Sequence, residues 1–141
     1  MKRFEYLHTV SFEETNLIGN VYFANYLKWQ GICRERFLQE KAPGVLEDIQ
    51  NGLALVTISC SCNYFGELMA FDKVLVGMYL LGIQQNKVKM RFEYLKMVDG
   101  ENQLVAEGFH EIGFFMKNED KLIPIVVPSY IHNELGVYLA G

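Results

Sequence analysis

Four long β-rich runs follow one another from residue 53 onward, and only one segment of the chain is long enough to be the helix that covers them. The runs are LALVTISCSCNYF, KVLVGMYLLGIQ, KVKMRFEYLKMV and QLVAEGFHEIGFFMK. Turn signals join the later runs at Gln85-Asn86 and at Asp99-Gly100, and Asn118-Glu119-Asp120 marks another turn after the last. Upstream, residues 3–13 alternate well enough for a further strand. An amphipathic helix is expected near residues 23–40, stopped by Pro43-Gly44. VLEDIQNG reads as a short second helix ending at Gly52, and SYIHNELGVYL, after Pro128, as a short terminal one. A sheet of such strands must bury its apolar face, and the one long helix must cover it. The expectation is an α+β fold: one strongly curved, five-stranded antiparallel sheet wrapped on a central helix. The sheet edges and the remaining apolar surface point to a dimer or more.

The bulk numbers narrow the function classes. At 141 residues, half of them apolar, the chain forms one domain with a full core, spanning 1–141. A net charge of −4 argues against general nucleic-acid or membrane-surface binding, which needs a basic excess. No apolar run reaches the roughly eighteen residues of a membrane span. The start, MKRFEYLHTV, lacks the apolar core and cleavage site of a signal peptide. Three cysteines, Cys33, Cys60 and Cys62, suit reduced, buried thiols in a cytoplasm. They lack nearby partners for a metal, and no Gly-rich phosphate loop or dinucleotide fingerprint occurs. No cofactor is expected.

On a helical wheel, Phe23, Leu27, Gln30, Phe37 and Leu38 form one stripe, with Tyr26 and Cys33 at its flank. Arg34 falls near the middle of that stripe, and Arg36 points away. A guanidinium on a buried face is costly unless paired. Two readings fit: a structural arginine that snorkels or pairs with a partner subunit, or an anion-binding arginine in a pocket between subunits. His8, His110 and His132 have no acid at triad-like spacing and read as structural or exposed. Glu13 and Glu14 read as a solvated strand end. On KVKMRFEY, Lys87, Lys89 and Arg91 share one face by period two, while Val88, Met90, Phe92 and Tyr94 share the other. That basic strip is either a solvated face or a docking strip for an acidic or phosphate-bearing partner.

The stretch Glu14-Thr15-Asn16-x-x-Gly19-x-Val21-Tyr22-x-x-x-Tyr26 resembles the signature of hot-dog fold thioesterases of the 4-hydroxybenzoyl-CoA type, whose loop reads D-x-D-x-x-G-x-V before the central helix. In much of that family the second Asp is the nucleophile or base; here Asn16 stands in its place. The further run Asn20-Val21-Tyr22-Phe23-x-Asn25-Tyr26-Leu27-x-Trp29-Gln30-Gly31-x-Cys33-Arg34-Glu35 is similar to the thioesterases that accompany enediyne polyketide synthases, which pair an Asn at the loop with an Arg on the helix. The resemblance implies Asn16 and Arg34 as catalytic residues. It also implies release of a polyene β-ketoacyl chain from an acyl carrier protein by hydrolysis with decarboxylation, in a homotetramer (a dimer of dimers) with the site between subunits. The backbone N–H of Phe23, at the helix N-terminus, suits an oxyanion donor. Tyr26 and Thr57 are candidate substrate contacts, and the Lys87, Lys89 and Arg91 strip is the candidate carrier dock. Three other readings compete. A general acyl-CoA thioesterase would prefer a carboxylate at position 16. A hot-dog dehydratase needs a His, and none lies between residues 9 and 109. A non-catalytic polyene-binding partner would differ from a slow enzyme only by turnover.

Overall fold

The computed structural model describes residues 2–140. Strand β1 (Phe4–Thr9) leads through a 3-10 turn (Phe12–Glu14) and a loop into α1 (Ala24–Lys41) and α2 (Val45–Gln50). Then come β2 (Leu53–Tyr64), β3 (Lys73–Gln84), β4 (Lys87–Val98), β5 (Glu101–Asn118), β6 (Lys121–Pro124) and α3 (Ser129–Gly136). The strands pair antiparallel in the order β1-β3-β4-β5-β2, and β6 adds to the end of β5. The sheet curls around α1 as a half-barrel, the expected α+β architecture. Register shifts between Thr57 and Ser59, and between Leu80 and Gly82, mark bulges that add to the curl.

Local chemistry explains the elements. Gln85, Asp99 and Glu119 have positive φ at the three expected turns, and Gly100 follows Asp99 in the same region. Ala42 leaves the helical region at φ −138° because Pro43 disfavours it there, and α1 ends. Alternate residues face the helix: Val74, Val76, Met78 and Leu80 on β3, Val88, Met90, Phe92 and Tyr94 on β4, and Ala106, Gly108, His110, Ile112 and Phe114 on β5.

Five expectations are corrected, four here and Glu14 below. The sheet has a sixth strand, because the Glu119 turn folds residues 121–124 back onto β5. The strand expected over residues 3–13 ends at Thr9, because Ser11 caps the 3-10 turn through a capping box with Glu14. The buried stripe of α1 is Tyr26, Trp29, Gln30, Cys33 and Phe37. Phe23 is exposed, Leu27 and Leu38 are half-buried, and Arg34 lies at the margin of the stripe rather than its middle. Burying the largest side chain, Trp29, sets that rotation. Of the three thiols, all free, only Cys33 is buried; Cys60 is exposed on β2.

Glu14 is the largest departure. Expected in solvent, it is only 3% exposed. Its carboxylate accepts from Ser11 N–H (2.9 Å), His8 Nε2 (2.8 Å), Trp29 Nε1 (2.8 Å) and Lys28 Nζ (3.5 Å). Its backbone carbonyl accepts from Tyr22 N–H and Asn25 Nδ2. His8 therefore has an acid partner after all, six residues along the chain, and its Nδ1 meets the Tyr6 hydroxyl at 2.7 Å. Burial alone would raise the Glu14 pKa; the Ser11 N–H, His8 and Trp29 override it and lower it from 4.5 to about 2.

Because its folded pKa lies below its unfolded one, the Glu14 carboxylate contributes full stability above about pH 4.5 and loses it as pH falls towards 2. At fixed protein concentration, Glu14→Gln should be less stable near neutral pH by about 1–3 kcal/mol. The gap between it and the parent should close on acidification. Thermal melts across that range check this; a gap that stays constant with pH would contradict the assignment.

Candidate active site

The site is built from two pieces. The first is the loop that Glu14 anchors. Asn16 N–H donates to Asn20 O and Gly19 N–H to Asn16 O, both at 2.9 Å, and Gly19 takes φ +93°, which favours glycine. The Asn16 Oδ1 accepts from Ile18 N–H at 3.2 Å, so the side chain braces its own turn. Its Nδ2 donates to no protein group among the described residues and is exposed. Leu17 and Ile18 beside it project an apolar tip into solvent. At the start of α1, the N–H groups of Tyr22, Asn25 and Tyr26 go to Glu14, Tyr22 and Phe23, while that of Phe23 meets no backbone carbonyl among the described residues. Phe23 and Tyr26 line a cavity of about 200 Å³ with Asn20, Val21, Tyr64 and Leu68. Tyr26 is otherwise buried among Trp29, Tyr64 and Tyr94, and burial pushes its hydroxyl up to about 12.

The second piece surrounds Arg34. Its Nη1 donates to His110 Nε2 at 3.1 Å and to Thr57 Oγ1 at 3.4 Å. His110 Nδ1 meets Gln30 Oε1 at 3.1 Å, and Gln30 Nε2 donates to Ser61 O at 3.0 Å. No carboxylate pairs with Arg34 among the described residues, and its Nε is buried without a hydrogen-bond partner. Burial lowers the Arg34 pKa, but a guanidinium stays charged. Arg34 lines a mainly apolar groove of about 650 Å³ with Leu38, Leu46, Ile49, Leu53 and Leu55, and with the exposed Glu35, Gln39 and Lys117. This arrangement can hold an anionic group beside an apolar chain.

The structure brings Arg34 and Thr57 together and places Phe23 beside Tyr26. It does not bring Asn16 to Arg34 within one chain. Arg34 lies ten residues into α1, about 15 Å along its axis from Ala24 at 1.5 Å per residue. The basic strip alternates as expected, with Lys87 and Lys89 exposed and Val88, Met90, Phe92 and Tyr94 buried. Lys89 is paired with Glu111 at 3.5 Å, and Arg91 with Glu93 at 3.4 Å while stacking 4.6 Å over Tyr79. The sequence reading missed three residues here: Glu14, Gln30 as a hydrogen-bonding group, and His110. The signals were present: Gln30 and Arg34 are one helical turn apart, and His110 falls in phase with the inward positions of β5. Among the described residues, no cluster of three or more His, Cys, Asp and Glu could hold a metal, and no helix is long and apolar enough to cross a membrane.

Residues 10–127 match the family described as the thioesterase-like superfamily. Among solved structures, the chain is similar to the dynemicin thioesterase, whose crystal structures reveal induced-fit and allosteric effects upon polyene binding. The identity is 39% over 99% of both chains, with a TM-score of 0.95. It is similar in fold to the 4-hydroxybenzoyl-CoA thioesterase of Pseudomonas sp. strain CBS-3, at 19% identity over 94% of this chain and 99% of that one, TM-score 0.79. A 1,4-dihydroxy-2-naphthoyl-CoA thioesterase from Synechocystis aligns at 20% identity over 96% of each chain, TM-score 0.83. No curated protein sequence matches the chain.

Gly108 makes room for the Arg34 support. A Cβ there would lie 2.1 Å from Gln30 Nε2 and 3.0 Å from Ser61 O. Gly108→Ala is expected to break the Gln30–Ser61 bond and destabilise the fold by about 1–3 kcal/mol, from overpacking and an unmade buried hydrogen bond. Urea unfolding measures it; an unchanged midpoint would show that Gln30 can move without cost.

Proposed function

We propose a specific reaction for this chain, which belongs to the thioesterase-like superfamily and has the hot-dog fold: release of a polyene β-ketoacyl chain from the acyl carrier protein of an iterative, enediyne-type polyketide synthase, with decarboxylation. The chain is a thioester hydrolase by that membership. The carrier, the substrate and the second step are the proposed part. One observation supports the substrate and the second step, a half-buried guanidinium with no bonded carboxylate, set on a mainly apolar groove; the carrier rests on the resemblance and the basic strip of β4.

Asn16 has no useful basicity but has two N–H donors. With the Phe23 N–H it would polarise the thioester carbonyl, where hydrolysis builds negative charge. A thioester is already activated, so water attacks without a dedicated base and thiol leaves. The one buried carboxylate of the loop, Glu14, suits no base: its oxygens are engaged by four donors, and its pKa sits at about 2. The released β-keto acid then loses CO₂, and its electrons pass to the β-carbonyl as an enolate. Arg34 would stabilise that enolate, which takes a proton to give the methyl ketone. The groove beside Arg34 would take part of the acyl chain, with Thr57 and Tyr26 as further substrate contacts. The dynemicin thioesterase, a polyene binder, supports the substrate class.

Asn16 and Arg34 stand apart in one chain, so the reading assigns them to one site across a subunit interface, in a dimer of dimers. The exposed apolar residues Leu17, Ile18 and Phe23 at the loop support that burial. Lys87, Lys89 and Arg91 are the assigned carrier dock, in a cytoplasmic enzyme. A general acyl-CoA thioesterase fits less well, since Asn16 replaces the carboxylate that fast hydrolysis uses.

The test is incubation with a long unsaturated β-ketoacyl thioester, on carrier protein and on CoA, following thiol release and methyl ketone. Asn16→Ala and Arg34→Ala should each lower turnover by about 10²–10³, as loss of a charge-stabilising donor does. Full activity in either would sink the mechanism, and tight binding of the chain without thiol release would make the protein a polyene-binding partner. Lys87→Glu with Lys89→Glu should slow the carrier-linked substrate and spare the CoA-linked one; equal effects on both would remove the docking role.

A further inference from the structure

Arg34 is held in place by a chain of uncharged groups whose roles are all forced. A guanidinium only donates, so His110 Nε2 accepts from Arg34 Nη1 and carries no proton. The imidazole proton therefore sits on Nδ1 and is donated to Gln30 Oε1. Gln30 in turn is oriented by its Nε2 bond to the Ser61 carbonyl of β2. The bare Cα of Gly108 gives Gln30 the space to lie there.

We propose that His110 is a positioning residue for Arg34, fixed by Gln30 as a neutral acceptor, so that no bonded carboxylate neutralises the guanidinium and it selects an anionic head group on an apolar chain. This rests on the reading of Arg34 as the charge-stabilising group and extends it to ligand selection. A carboxylate at the same place would hold the arginine as firmly but cancel its charge. The other arrangement is in use elsewhere in the fold, where Arg3 and Arg91 pair with Glu5 and Glu93. Arg34 instead keeps a buried Nε–H that no protein group satisfies, beside the apolar groove.

The surroundings keep His110 neutral. Burial first, and Arg34 second, depress its pKa to about 4. The charged residues nearest it on the sheet, Lys89 and Glu111, pair with each other. Glu35 lines the groove with Arg34 outside hydrogen-bonding reach, and its charge holds the Arg34 pKa up against burial. Phe92 packs edge-on against the imidazole, and Cys60 lies opposite it on β2.

Two substitutions that reach as far as the imidazole Nε2 separate holding from neutrality. His110→Gln keeps an uncharged acceptor, and His110→Glu replaces it with a charged one. Each variant is titrated near pH 7, by calorimetry, with a long-chain carboxylic acid and with the methyl ketone of the same chain. The parent should prefer the carboxylate by about tenfold or more, a modest return for a charge that no bonded carboxylate neutralises. His110→Gln should keep that preference. His110→Glu should abolish it while leaving ketone affinity within about threefold. Since the glutamate adds an ion pair, a melting temperature no lower than that of His110→Gln shows that the loss is not unfolding. No carboxylate preference in the parent, or the same preference in both variants, overturns the proposal. Nitrogen NMR of the parent imidazole gives an independent reading: a neutral ring with its proton on Nδ1 near pH 6 is expected, and a proton on Nε2 or an imidazolium overturns it. These readouts involve no turnover. Failure to hydrolyse any thioester would therefore remove the proposed reaction and leave this inference standing.

Discussion

A carboxylate buried under the start of α1 holds the N-terminal third of the chain together. Taking Glu14 out of water costs several kcal/mol unless its lone pairs are filled, and four donors from three separate pieces fill them: His8 on β1, Ser11 at the turn, and Lys28 and Trp29 on α1. The consequence for α1 is a fixed rotation. With Trp29 drawn to Glu14, Gln30 and Cys33 must face the sheet, and Arg34 comes to the edge of the covered face. The consequence for the loop is a fixed take-off, since Asn16 follows two residues after the anchored Glu14. One buried acid therefore sets the placement of both residues on which the proposed chemistry rests, without itself being available as a base.

Polar groups under the helix divide by charge. Glu14 is compensated several times over. No carboxylate is bonded to Arg34; its hydrogen-bonded neighbours Thr57 and His110, and Gln30 behind them, are neutral, and Glu35 acts on it only through space. Net charge near a reacting centre is set by such choices, and an arginine held by neutral acceptors keeps its field for what binds beside it. The same fold thus contains a carboxylate whose lone pairs are filled by four donors and a guanidinium that no carboxylate meets.

The sheet was legible in the sequence because its strands alternate and polar turn residues separate them, although only Asp99-Gly100 puts favoured residues at the positive-φ positions, which Gln85 and Glu119 take in the other two turns. The helix was legible in extent but not in rotation. Its apolar residues spread around much of the wheel, and the residue that decides the rotation, Trp29, is chosen by a hydrogen bond to an acid fifteen positions earlier. No periodicity reports such a bond. Glu14 was misjudged for the same reason: beside Glu13, at the end of a run of strand, it has the surroundings of a solvated residue until the chain closes over it. His110 carried a readable signal, its phase on β5, but its partners come from 80 and 76 residues away. Asn16 was selected by a resemblance in residue types, and Arg34 by that resemblance and by its place on the wheel; neither signal says what supports the side chain.

The two edges of the sheet differ in kind. Edge β1 carries Glu5 and is flanked by Lys2 and Arg3, charges that repel an incoming strand. Edge β2, LALVTISCSCNY, has twelve residues and no charge, no proline and no lysine to guard it. Most of its side chains are exposed, Ile58, Cys60 and Tyr64 among them. Such an edge carries no charge or proline to turn away an incoming strand, so it is the side of the sheet on which pairing with a further strand meets least resistance. An added strand would extend the hydrogen-bonded ladder outward from β2 and cover Cys60, a thiol that the fold itself leaves open.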